Sequence, residues 1–100
     1  MSTNALKYLE KELGHLTFAN MLRSIRSTDE ITQVELANAI EVSKGIICDI
    51  EKGRRLPTIE QAKEMAIYLG YPIEGFISIL LQDQLRKANL SMKVSLKKAS

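Results

Sequence analysis

The sequence predicts an all-α fold. It should form a compact bundle of five helices over residues 17–88, with a helical extension at 1–16 in front and a short strand or tail at 89–100 behind. Three observations carry this expectation. Apolar residues recur at three- and four-residue spacing through most of the chain, the period of a helix with one buried face. Thr17, Thr32, Ser43 and Thr58 each stand just ahead of such a stripe, where a side-chain oxygen can cap a helix. Only the last residues change to strict alternation, which is the period of a strand.

The elements follow in order. Leu6, Leu9 and Leu13 share one face of a helix over residues 4–13, which Gly14 can close in a left-handed conformation. Thr17 opens the next helix, with Phe18, Met21, Leu22 and Ile25 inward and an end at residues 27–30. Thr32 and Glu35 form a capping box ahead of Leu36, Ala37 and Ile40. Ser43 caps a helix with Ile47 and Ile50 inside, and Gly53 ends it. Leu56 precedes Pro57 and is therefore extended. Thr58 and Gln61 make a second capping box for a stripe of Ile59, Ala62, Ala66 and Leu69, stopped by Gly70. Pro72 starts the last helix, whose wide apolar face is Phe76, Ile77, Leu80, Leu81, Leu85 and Ala88. Beyond it, Leu90, Met92, Val94 and Leu96 alternate with Ser91, Lys93, Ser95 and Lys97. A lone strand is not stable, so this segment either pairs with a sister subunit or stays a basic tail.

Composition bounds the function. A chain of 100 residues is one domain, and 45% apolar content excludes a disordered chain. No apolar run approaches the ~18 residues of a membrane helix, so no membrane partner is expected. Cys48 has no second cysteine to pair with, which fits a reducing, cytoplasmic setting. His15 and Cys48 lie too far apart to begin a zinc shell, and no phosphate-cradling glycine loop or nucleophile elbow is present. The chain is therefore not expected to be an enzyme or to hold a cofactor or metal. Net charge is only +2, but cations cluster at Lys52, Arg54 and Arg55 and again over residues 86–98.

Residues 33–53 carry the functional signal. Two short amphipathic helices meet there across a turn too tight for a loop, an arrangement that presents the second helix to a DNA major groove. With Ile47 and Ile50 inward, Gly45, Cys48, Asp49 and Lys52 point outward and Lys44 lies on a flank. Lys44 can donate to guanine O6 or N7, and Asp49 can accept from cytosine N4. Ser43 and Gly45 share the first turn, and Gly45 allows close approach. Gln33, Lys52, Arg54 and Arg55 are placed to meet phosphates. Ala37 sits where the two helices cross.

These residues resemble the Cro/CI-type, or XRE, family of helix-turn-helix regulators. The pattern is Gln33, Leu36, Ala37, Val42, Ser43, Ile47, Ile50, Glu51, Gly53 and Pro57, within a resemblance that covers residues 18–81. It implies a lambda-repressor-like bundle, Gln33 on a phosphate, and base reading by Ser43, Lys44, Gly45 and Asp49. It also implies an ion pair between Arg26 and Glu51. Glu41 departs from the pattern, because glycine is usual in that turn. Positive φ at Glu41 is expected, at a cost on the order of 1–2 kcal/mol. Gly45 and Ile46 stand where longer polar residues are usual. The function implied is a repressor that binds double-stranded DNA as a homodimer on a two-fold operator. An alternative comes from a narrower resemblance, carried by residues 48–55, Leu69-Gly70-Tyr71 and Gln82-Asp83-Gln84, to HigA-type antitoxins. Those bind a toxin protein and repress their own operon. Here the segments before Gly14 and after Leu90 would hold the toxin.

Overall fold

The computed structural model describes residues 16–97 and 99. The helix expected at residues 4–13, with Gly14 and His15, lies outside them. The described chain forms five helices: α1 (Phe18–Thr28), α2 (Gln33–Ala39), α3 (Lys44–Glu51), α4 (Ile59–Leu69) and α5 (Ile73–Lys87). Four begin with a hydroxyl cap on a backbone N–H, from Thr17, Thr32, Ser43 and Thr58. Both capping boxes are present, with Glu35 and Gln61 reaching back to the cap N–H groups.

All five helices end in one way. A residue just past each helix turns left-handed and its N–H bonds back three residues, while the following N–H bonds back five; at α4 that residue is the cap itself, Gly70, whose N–H also reaches back four. Gly53 and Gly70 fill this position at α3 and α4, but Glu30, Glu41 and Asn89 fill it elsewhere, with φ of 56°, 58° and 58°. Positive φ at Glu41 is therefore kept without glycine. Val42 N–H closes the turn on Ala37 C=O at 2.9 Å, which locks α2 to the start of α3.

The core is a single cluster fed by every helix. Phe18, Met21, Leu22 and Ile25 come from α1, Leu36 and Ala37 from α2, and Ile47 and Ile50 from α3. Ala62, Met65, Ala66 and Leu69 come from α4, and Phe76 and Leu80 from α5. Phe18 and Phe76 meet edge to face at 5.7 Å, joining the first and last helices.

Two expectations are corrected. Ile59 is 54% exposed, because α4 is rotated to place Met65 rather than Ile59 inside. On α5 only Phe76 and Leu80 of the expected face are fully buried, and Ala88 is exposed. The next buried position belongs to Asp83, whose Oδ2 accepts from Phe18 N–H at 2.7 Å and whose Oδ1 accepts from Arg86 at 2.5 Å. A carboxylate at the first turn of α1 opposes the positive end of that helix. Residues 90–97 form no strand among the described residues. They run past α5, where the Gln82 side chain donates to Met92 C=O at 2.7 Å and accepts from Val94 N–H at 3.1 Å.

Substituting Glu41→Gly should relieve the left-handed strain and raise stability by roughly 0.5–1 kcal/mol, net of the greater freedom glycine gains when unfolded. Ala37→Leu, at a site 2% exposed, should instead be strongly destabilising. Urea unfolding midpoints of the two variants would separate these effects.

Candidate nucleic-acid interface

The short helix α3 buries one side only. Ile47, Ile50 and Glu51 face inward, while Ser43, Lys44 and Gly45 at its N-terminal end are exposed. Ser43 Oγ accepts from Ile46 N–H, so the exposed end is a finished helix start and not a frayed one. Nothing in the fold demands glycine at position 45. An added Cβ would meet only Ser43 Oγ at 3.7 Å, an ordinary contact.

The orientation of α3 is held from its other end. Glu51 is 3% exposed and Arg26 20% exposed, and the two meet through a bidentate fork of 2.7 and 2.8 Å. The third arm of Arg26 donates to Ile31 C=O at 2.9 Å. The hydrogen bonds Arg26 donates to Glu51 raise its pKa above the ordinary value, so the guanidinium stays charged at any working pH. Gln33 Nε2 completes the group, donating to Glu51 Oε1 at 3.0 Å. One carboxylate thus ties the end of α1, the start of α2 and the end of α3 together.

The structure brings the other predicted residues into two groups. Gln33 and Lys44 line one depression of about 520 Å³, with Thr32, Val34 and Arg26, where the starts of α2 and α3 open on the same surface. Near the end of α3, Arg54 and Arg55 lie 3.7 and 4.0 Å from the Asp49 carboxylate. Lys52 is exposed, with no ion pair among the described residues. Gln33 therefore does more than sequence reasoning assigned to it, because its amide nitrogen is already bonded to Glu51.

Sequence reasoning did not single out Asp83 or Gln82 for a structural role. An acidic residue one turn after Leu80, inside an apolar stripe, was the available signal for Asp83. Gln82 entered only as part of the Gln82-Asp83-Gln84 resemblance, with nothing to mark a structural role.

A family model described as helix-turn-helix (HTH_3) matches residues 22–76, more than half of the chain. The chain belongs to this helix-turn-helix family. The domain is of the XRE type, a DNA-binding helix-turn-helix. The domain is 33% identical over 61 residues to the cryptic phage CTXphi transcriptional repressor RstR of Vibrio cholerae. That match takes in 61% of this chain and 55% of RstR, so the chain spans little more than half the length of that relative. The helix-turn-helix domain also resembles the crystal structure of the clp gene regulator ClgR from Corynebacterium glutamicum. The TM-score is 0.57 at 26% identity, covering 72% of this chain and 77% of ClgR. Among the described residues no helix is long and apolar enough to cross a membrane.

Replacing Arg26 with alanine leaves the nearly dry Glu51 carboxylate without its main partner. The expected loss is about 2–4 kcal/mol, because Arg26 keeps some contact with water. A thermal melt of Arg26→Ala matching that of the parent would remove the ion pair as the support of α3.

Proposed function

We propose that this helix-turn-helix domain is a cytoplasmic transcriptional repressor that binds a two-fold operator as a homodimer. The observation that carries the reading is the exposed start of α3, which bears Lys44 and projects from a rigid support. In this reading the end of α3 bearing Ser43, Lys44 and Gly45 enters the major groove, and Lys44 donates to a guanine edge. Gln33, Lys52, Arg54 and Arg55 meet the phosphates on either side. Arg54 and Arg55 sit near Asp49 in the free protein at a distance that makes only a weak, solvated attraction. Moving them to phosphates frees Asp49 to accept from cytosine N4. Two-fold operators require two such helices about 34 Å apart, which is why a dimer belongs to the proposal.

The likeness to RstR, described as a transcriptional repressor, favours this reading over an antitoxin that also binds a toxin protein. Co-purification with the product of a neighbouring toxin gene would reverse that preference.

The test is a salt series with the duplex upstream of the chain's own gene and with a random duplex. Affinity should fall steeply with salt for both and be at least ~10³-fold higher for the operator. Arg54→Ala and Arg55→Ala should each lower the salt slope by about one unit and weaken both duplexes alike. Lys44→Ala should cost about 1–3 kcal/mol on the operator with little change on random DNA. Equal affinity of the parent protein for the two duplexes would refute operator recognition.

A further inference from the structure

We infer that the cleft where α1, α3 and α5 meet binds a small apolar carboxylate, and that the bound acid withdraws Arg55 from DNA. The second half rests on the phosphate contact proposed above for Arg55, while the binding of the acid does not.

The cleft holds about 310 Å³. Ligand pockets run from roughly 300 to 1,000 Å³, so this one has room for a single ring or a short chain. Its floor is apolar. Ile50 belongs to the buried core, and Leu56 packs against that core from the segment after α3. Half-buried Ala19 of α1 forms a wall, and its single methyl leaves the space unfilled.

The rim is cationic. Arg55, Arg86 and Lys87 line it with only one carboxylate, that of Asp83. Asp83 is already occupied, since it accepts from Phe18 N–H and from Arg86. Arg86 uses one arm on Asp83, and its other N–H donors have no hydrogen bond among the described residues. Lys87 is exposed and has no ion pair among the described residues. Arg55 has only the Asp49 carboxylate, at 4.0 Å.

Floor and rim together select the ligand class. A bare phosphate or sulfate would meet the cations and leave the apolar floor wet. A neutral apolar molecule would cover the floor and gain nothing from the cations. An acid built on one ring or a short hydrocarbon chain does both. Its body covers Ile50 and Leu56, and its carboxylate accepts from the Arg55 guanidinium beside Lys87. A guanidinium forked on that carboxylate is not available to a phosphate, so acid and duplex oppose each other through one side chain. The coupling is reciprocal, and operator DNA weakens the acid by the same factor.

The probe is sodium benzoate, with benzyl alcohol as its neutral counterpart and sodium chloride to match ionic strength. Benzoate should shift the backbone amide signals of Ala19, Gly53 and Leu56 in a saturable titration, and benzyl alcohol should bind roughly tenfold more weakly. Lys87→Gln should weaken benzoate about threefold. Ala19→Leu, which fills the cleft, should abolish its binding. Saturating benzoate should lower operator affinity about fivefold in the parent and leave it unchanged in Ala19→Leu. Benzoate that fails to saturate, benzyl alcohol that binds as tightly, or both variants binding benzoate like the parent would each overturn the site. Saturable binding with unchanged operator affinity overturns the coupling through Arg55. A parent protein that does not tell operator from random duplex overturns the DNA reading, while the benzoate titration still decides the acid site.

Discussion

The Glu51 carboxylate is the constraint on which the rest of the site depends. It accepts from Arg26 twice and from Gln33 once, and Arg26 spends its remaining donor on Ile31 C=O. An isolated buried carboxylate is costly, but a fully bonded one fixes direction. Here the fixed quantity is the angle of α3 against α1 and α2. A helix of eight residues has little rigidity of its own, since most helical stability comes from packing. Two isoleucines hold its floor and one ion pair holds its end, so its start can project without losing its place.

Local chemistry made most of the fold legible. The hydroxyl caps and capping boxes are short-range signals, and each one marks a helix start in the structure. The glycine stops at Gly53 and Gly70 are equally local. The same turn at Glu30 and Asn89 was not legible, because neither residue announces positive φ. There the flanking helices and the second hydrogen bond of the motif override the preference of the residue. Rotation about a helix axis was the other blind spot. Ile59 looks like the first member of a stripe, yet the buried face of α4 runs through Ala62, Met65, Ala66 and Leu69 and leaves it exposed. Met65 takes the buried place.

The candidate interface divides along the same line. Which residues of α3 face outward follows from its period, and Ser43, Lys44 and Gly45 lie on the exposed end. The bond from Gln33 to Glu51 joins residues 18 positions apart, and no pattern within either helix announces it. The structural role of Gln82 was hidden for a related reason: its partners, Met92 and Val94, lie ten and twelve positions on, outside its helix.

Asp83 joins the two ends of the bundle. It supplies the buried acceptor for the first N–H of α1, 65 residues earlier in the chain. Contacts of such sequence separation form only after the intervening chain has been gathered in, and they slow folding for that reason. A nascent chain leaving the ribosome would expose α1 for most of its synthesis with that N–H still awaiting its acceptor. Docking of the last helix then becomes the step that seals the domain.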